Sequence, residues 1–279
     1  MKQININNLP KYSRWPSRLL DEEHAARNKT RIQKEYEDKY SKLLTYKKAH
    51  PKAHMSDIRM EHFRSHLGKK KDICISKKGE LYLAHVSDVI ALAKNAVLEK
   101  LIPIIKDSDY IIELGSGYGY YTYYLSKAYP KCTFVGADFS NLGVTLSRRL
   151  CKAKNISFVP FDFYKKDSYP KPESTKNVIF TVSAIEQIPS AQLFLSRMRQ
   201  FKNQISDIVN FEPIYEFNDV ETTLGLMRKK YASVNNYNKD LFSLLKNSPS
   251  EIEIVKMEHD IFGVNPLNPT SFIHWRFKK

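Results

Sequence analysis

Residues 111–140 read IIELGSGYGYYTYYLSKAYPKCTFVGADFS, with Gly115, Gly117 and Gly119 inside five positions of a chain that has nine glycines in 279 residues. The apolar run before them, DYIIEL, reads as a short buried strand. The run after them, YYTYYLSKAY, reads as a helix. A strand feeding a glycine cluster and then a helix brings bare backbone to the carboxyl edge of a sheet. A ligand can approach closely there, and the helix start offers free N–H groups. The spacing narrows the choice of ligand. A dinucleotide fingerprint, GxGxxG, needs glycine where Tyr120 stands, and a phosphate loop needs GK[ST], which the chain lacks.

The same alternation continues outward. CTFVGAD, ISFVPFD, NVIFTVSA and DIVNFEP read as further strands, separated by the helical segments NLGVTLSRRLCKA and AQLFLSRMRQFKN. EIEIVKMEHDIFG and TSFIHWRF close the chain as two strands joined by a Pro/Asn-rich turn. The fold class is therefore α/β: a seven-stranded, mostly parallel sheet with a C-terminal antiparallel hairpin. Upstream, residues 17–49 lack Gly and Pro and begin with the acidic cluster Asp21, Glu22 and Glu23, which suits the positive end of a helix. A second helix restarts after Pro51 with Ser56 as N-cap and stops at Gly68. A short extended piece then leads to an amphipathic helix from about Ser87 to Leu101, with Val89, Leu92, Ala93, Ala96 and Val97 on one stripe. This divides the chain into a basic helical extension, residues 1–80, and a domain, residues 81–279.

Composition sets outer bounds. A hydrophobic content of 42% with 12% aromatics is too high for a disordered chain. No apolar stretch approaches 18 residues, so no membrane span is expected. The start, MKQININNLPKYSRWP, has no apolar signal core, which leads to the expectation of a cytoplasmic protein. Cys74, Cys132 and Cys151 fit neither a disulfide framework nor a CxxC metal spacing. The formal charge of +15 falls mostly in front of the glycine cluster: residues 1–100 carry a net +10 and residues 101–279 a net +5. Lys outnumbers Arg 33 to 12 in a chain also rich in Asn, Ile and Tyr. That bias is expected of AT-rich codons, and it weakens basicity as evidence for a polyanionic partner.

ELGSGYG resembles motif I, (D/E)xGxGxG, of the class I S-adenosylmethionine-dependent methyltransferases, whose turn wraps the amino-acid end of the cofactor. The resemblance runs from about residue 80 to the C-terminus and implies a Rossmann-like fold. It implies a cofactor surface of Glu113, Gly115, Ser116, Gly117, Tyr118, Gly119, Asp138, Phe139, Asp162, Phe163 and Ser183. Within it, Asp138 ends the second strand and would hold both ribose hydroxyls, since one carboxylate has two acceptor oxygens for two vicinal donors. Asp162 and Phe163 would bracket the adenine, and Glu113 would order the turn or meet the cofactor ammonium. VSAIEQI resembles the segment that faces the substrate, with Gln187 where many small-molecule members carry histidine.

Methyl transfer from a sulfonium chiefly needs a positioned nucleophile and, for a hydroxyl, a proton acceptor. Glu186 and His259 are the catalytic candidates carried forward; Glu212, Asp260 and His85 also stand near the carboxyl edge. His62 and His66, four apart on a helix, lack an acidic third ligand in a Lys-rich setting, so no metal is expected. The fourth strand does not end in the (D/N/S)PP(Y/F) of exocyclic-amine base methyltransferases, and no Pro-Cys nucleophile is present. The expected acceptor is a hydroxyl, ahead of an amine, on a small molecule or saccharide. LPKYSRWPSRLL and NPLNPTSFIHWRF resemble bacterial methyltransferases associated with surface-polysaccharide or sugar modification. Tyr118, Tyr120, Tyr121, His274 and Trp275 would suit a carbohydrate wall. Two alternatives stand beside this reading: an RNA methyltransferase whose basic N-terminal helices grip phosphate, and a non-catalytic cofactor-binding protein. The N-terminal helices would cap the pocket or form a homodimer.

Overall fold

The carboxyl ends of five parallel strands meet where the strand order reverses, and that edge carries the site. The computed structural model describes residues 1–13, 19, 27–67, 70–106, 109–173 and 176–279. Its first part holds β1 (Lys2–Ile4), α1 (Leu9–Tyr12), α2 (Lys29–Ala49), α3 (Met55–Leu67), β2 (Asp72–Lys77), β3 (Glu80–His85) and α4 (Val86–Leu101). The alternating part follows: β4 (Tyr110–Leu114), α5 (Tyr120–Ala128), β5 (Thr133–Asp138), α6 (Asn141–Leu150), β6 (Ile156–Pro160), β7 (Asn177–Val182), α7 (Gln192–Gln200) and β8 (Ile205–Glu212). The last part holds α8 (Thr223–Val234), α9 (Leu241–Lys246), β9 (Ile252–Phe262) and β10 (Thr270–Phe277).

The large sheet runs β6-β5-β4-β7-β8-β10-β9. β6 to β8 pair in parallel, while β10 inserts antiparallel between β8 and β9. This is the seven-stranded arrangement with a closing antiparallel hairpin that the sequence implies. All five residues of β4 are buried because helices cover both faces of the sheet. Alternate residues serve the two sides. Ile112, Leu114, Val135, Ile179, Ile208, Ile273 and Trp275 belong to one core layer, which includes Phe194 and Leu195 of α7. Ile111, Phe134, Val178, Phe180, Val209 and Phe211 belong to the other, with Val97 and Leu101 of α4 and Leu125 of α5. β4 and β7 are sheet neighbours whose connections leave in opposite directions, so a crevice opens between their carboxyl ends.

Several sequence expectations need correction. Helix α2 begins at Lys29, where the Asn28 side chain accepts the N–H of Arg31 as an N-cap. Residues 17, 18 and 20–26 of the expected helix, with Asp21, Glu22 and Glu23, lie outside the described residues. The extension is not wholly helical, because β1, β3 and β2 form a small antiparallel sheet. The expected short extended piece is one arm of a hairpin whose turn, Lys78-Gly79, has φ of 53° and 81°. Two successive left-handed residues match the twist of a two-residue hairpin. Helices α8 and α9 had no counterpart in the sequence reading. Trp275, expected in a carbohydrate wall, is fully buried in the sheet core and its indole donates to Asn210 Oδ1 at 2.8 Å. His274 beside it pairs with Asp207 at 2.7 Å.

Asp260 joins the small sheet to the C-terminal hairpin. It is fully buried at a φ of 45°. Its carboxylate accepts the Ser76 hydroxyl (2.9 Å), the Gly79 N–H (2.9 Å) and Arg228 Nη2 (2.8 Å). Arg228 Nε donates to the Pro266 carbonyl. Asp260 is thus a structural clamp, spent on three donors. Removing one partner of such a pair strands a buried cation. Asp260→Ala should therefore lower unfolding stability by about 3 kcal/mol or more, read from urea denaturation. A loss below about 1 kcal/mol would show that the clamp is idle.

Candidate active site

The turn after β4 folds back on β5, with Gly115 and Ser116 both donating to the Ala137 carbonyl at 2.7 and 2.9 Å. Gly115 and Gly117 hold φ of 79° and 58°, which side chains with a Cβ rarely adopt. Space forbids a Cβ as well. At Gly115 it would lie 2.3 Å from Ala184 Cβ and at Gly117 2.7 Å from Tyr40 Oη. Helix α5 starts directly afterwards, and Glu113 caps its first turn from below. The Glu113 carboxyl accepts the Thr122 N–H at 3.1 Å and the Thr122 hydroxyl, and burial pushes its pKa up to about 8.

Asp138 ends β5 under the same turn. Its two oxygens accept Gly117 N–H at 2.8 Å and Ser140 N–H at 2.9 Å, while Ser140 itself caps α6 through Gly143 N–H. Burial raises the Asp138 pKa to about 6, against the pull of these two N–H groups and of Lys39. Asp162, just past β6, accepts Tyr164 N–H and pairs with Lys29 Nζ at 2.6 Å. Phe139 meets the Tyr36 ring edge-on at 5.5 Å, and Phe163 packs on Phe161 at 4.7 Å. Ser183, beyond β7, adopts a φ of 51° while its N–H donates to the Phe211 carbonyl. A non-glycine residue in that region is uncommon and marks a constrained turn.

These residues surround one cavity of about 280 Å³. Of the eleven expected cofactor residues, ten line it. Gly119 sits behind the turn, where a Cβ would strike the Phe158 ring at 2.4 Å. The roof comes from the extension. Lys29, Ile32, Tyr36, Lys39 and Tyr40 project from α2, and Arg59 and His62 from α3. The positions 29, 32, 36, 39 and 40 make one helical stripe, which was the available sequence signal for a second wall. His66 has a side chain outside the described set, so the His62–His66 pair is not testable as a unit.

The proposed bases lie elsewhere. Glu186 is buried outside the cavity lining, accepting Gln187 Nε2 at 2.6 Å and Asn268 Nδ2 at 2.7 Å. Burial, then the neighbouring Glu212, push its pKa up to about 7. Glu212 accepts the N–H groups of Ala184 and Glu186 and so fixes the loop after β7. His259 is half-buried on β9 against Phe217, outside the cavity, with burial and Arg228 holding its pKa below the ordinary value. His85 is exposed and caps α4. Gln187 does line the cavity, and its side-chain oxygen accepts Arg27 Nη1 at 3.0 Å.

Residues 111–203 match the family model of a methyltransferase domain. The structure is similar to that of a SAM-dependent methyltransferase from Anabaena variabilis ATCC 29413, with a TM-score of 0.50 at 13% identity, covering 68% of this chain and 86% of that one. It is also similar to magnesium protoporphyrin IX methyltransferase from Synechocystis PCC 6803 with bound SAH (TM-score 0.49, 11% identity, 69% and 86% covered). The plantazolicin methyltransferase BpumL in complex with a triazolic desmethylPZN analog and SAH gives a TM-score of 0.48 at 13% identity, covering 89% of this chain and all of that one. No curated protein sequence matches the chain. Sheet order and this similarity together define the fold as Rossmann-like, and residues 111–203 within it carry the match to a methyltransferase domain.

The turn has no tolerance for a methyl group. Gly115→Ala should cost about 1–3 kcal/mol from backbone conformation and overlap with Ala184. Thermal unfolding checks this; an unchanged midpoint would show that the loop can move aside.

Proposed function

We propose that the cavity binds S-adenosylmethionine along its floor, and that the protein passes the methyl group to a hydroxyl of a small-molecule acceptor entering beneath α2 and α3. The observation that carries this reading is the placement of Asp138, a carboxylate at the end of β5, beside a glycine turn that leaves backbone bare. In this reading Asp138 accepts the two ribose hydroxyls, and Asp162 with Phe163 and Phe139 flanks the adenine. Gly115 to Tyr118 and Ser183 surround the amino-acid end. Glu113, spent on Thr122, orders the turn. When bound, the cofactor supplies an electrophilic methyl group. The chain's work is to hold the acceptor oxygen in line with it and to exclude water.

A roof of two helices over a cavity of this size favours a small acceptor over a folded nucleic acid. Tyr36, Gln187 and Ile188 supply an aromatic and apolar wall with two polar ends. A saccharide acceptor draws no support from Trp275, which is in the core. The titratable side chains that line the cavity include Asp138, Asp162, His62 and Lys39, and Glu186 and His259 are not among them. Incubation with methyl-labelled cofactor and a panel of hydroxyl, amine and RNA acceptors tests the reading. Label passing only to RNA would overturn it.

Two measurements address Asp138. Asp138→Asn should weaken adenosylhomocysteine binding by roughly 30-fold, with the far-UV circular dichroism unchanged. The pH dependence follows from the raised pKa. The groups facing this carboxyl are the Gly117 and Ser140 N–H donors and the charges of Lys39 and Glu37. Hydroxyl donors prefer the ionised carboxylate, so affinity should be flat above about pH 7 and fall as pH drops through about 6. Equal dissociation constants at about pH 5 and pH 7.5 would remove Asp138 from this role.

A further inference from the structure

The glycine-turn end of the cavity is walled by basic side chains, of which Lys39 feels the charge of Asp138 while Arg59 has no carboxylate partner among the described residues. Arg59 reaches in from α3 and lies against two rings, its guanidinium carbon 4.5 Å from the centroid of Tyr120 and 4.9 Å from that of Phe63. Its Nη1 donates to the Tyr118 hydroxyl at 3.2 Å, and His62 Nδ1, one turn along, meets the same oxygen at 3.2 Å. Arg59 Nε is buried and finds no acceptor among the described residues. From α2, the Lys39 ammonium stands 4.0 Å over the Tyr36 ring, and burial and the charge of Arg59 hold its pKa down to about 8. The nearby acid, Glu113, is turned into α5 with its pKa raised to about 8, so at neutral pH it brings little negative charge.

Two half-buried cations side by side, one depressing the pKa of the other, form an arrangement that an anion would relieve. Arg59 also keeps a free donor beside Nη1, and a guanidinium fork matches a carboxylate. The N-terminus of α5 adds N–H donors to the same end. If Arg59 only braced the rings of Tyr120 and Phe63, an apolar side chain of equal length would do as well, and the unpartnered Nε would have no reason to persist.

Two sources of carboxylate fit: the amino-acid end of the cofactor, or an acid group on the acceptor. The inference rests on the cofactor reading given above, in which Asp138 takes the sugar and Asp162 the base. The amino-acid end is then left at the glycine turn, beside α3. We propose that Arg59, with His62 and Lys39 beside it, forms the subsite for the α-carboxylate of the cofactor. The N-terminal helices, outside the matched methyltransferase domain, then complete cofactor binding.

Calorimetric titration of the full chain with adenosylhomocysteine and with methylthioadenosine tests this. The second ligand keeps the adenine, ribose and thioether but has no amino-acid end. Arg59→Met, which preserves length and packing, should lose roughly 30-fold in affinity for adenosylhomocysteine and less than about twofold for methylthioadenosine. Arg59→Lys keeps the charge without the fork and should lose an intermediate factor for adenosylhomocysteine alone. If Arg59→Met does not fold, the ratio of the two affinities in Arg59→Lys decides; a wild-type ratio overturns the proposal. Equal losses for both ligands would mean a structural brace, and unchanged adenosylhomocysteine binding would assign the cations to another anion, such as one on the acceptor. Either result overturns the subsite while leaving the cofactor reading intact. A wild-type protein that binds neither ligand would instead defeat the cofactor reading itself.

Discussion

The site depends on one backbone constraint: the turn between β4 and α5 passes so close to Ala184 that no side chain fits at Gly115, and it holds Gly117 at a left-handed φ beneath Tyr40. Gly115 is pressed against Ala184 of the loop after β7, and Gly117 against the hydroxyl of Tyr40 in the roof. Both contacts use the space that a side chain would have filled. The turn is then held from below by the Ala137 carbonyl and by Asp138, which binds Gly117 N–H. One carboxylate therefore braces the turn and faces the cavity. The sequence spends three of its nine glycines here because three layers of structure converge on the same few atoms.

The second organising interaction is electrostatic. The floor of the cavity carries Glu113, Asp138 and Asp162, and the roof carries Lys29, Lys39, Arg59 and His62. At one end floor and roof pair directly, through Lys29 and Asp162 at 2.6 Å. A backbone contact adds to this where Asn141 N–H donates to Glu37. An aromatic layer, in which Tyr40 meets Tyr118 and Tyr36 meets Phe139, fills the space between. A ligand that used Asp162 would have to compete with Lys29, so the roof competes for the floor at the Asp162 end. At the Arg59 end no such floor-to-roof ion pair forms among the described residues, and the carboxylate subsite proposed above would lie there, near α3.

Local patterns carried the core of the fold and left the roof obscure. β4 through β8 are short apolar runs bounded by turn residues, and the glycine spacing together with Asp138, Asp162 and Phe163 located the floor. Each of those signals is confined to a few consecutive residues. The roof was not readable in the same way, because Lys29, Tyr36, Lys39 and Arg59 look like the solvated face of a charged helix until α2 is placed over the cleft. Glu186 and His259 failed as cavity residues for a related reason. Their position near the carboxyl edge is visible in the sequence, but the direction of a side chain depends on partners such as Asn268 and Phe217, which arrive from distant segments. The β2–β3 hairpin was half hidden because Lys-Gly is a weaker turn signal than Asn-Gly or Asp-Gly.

The buried carboxyls show what the site costs the fold. Glu113, Asp138 and Glu186 have pKa values raised to about 8, 6 and 7, from ordinary values of 4.5, 3.8 and 4.5. Between the ordinary and the raised value the folded chain keeps a proton that the unfolded chain has released, so stability from these groups declines as pH rises through that window. Ion pairs act in the opposite sense: Glu258 with Lys100 and Asp207 with His274 hold carboxyl pKa values below the ordinary ones, and their contribution is present above those values. The destabilising set clusters at the carboxyl edge around the glycine turn and the loop after β7, while the stabilising set lies on the β8-β10-β9 side of the sheet. Charge that weakens the fold is concentrated at the glycine turn and the loop after β7, while the antiparallel hairpin is tied to the small sheet and to α8 through Asp260.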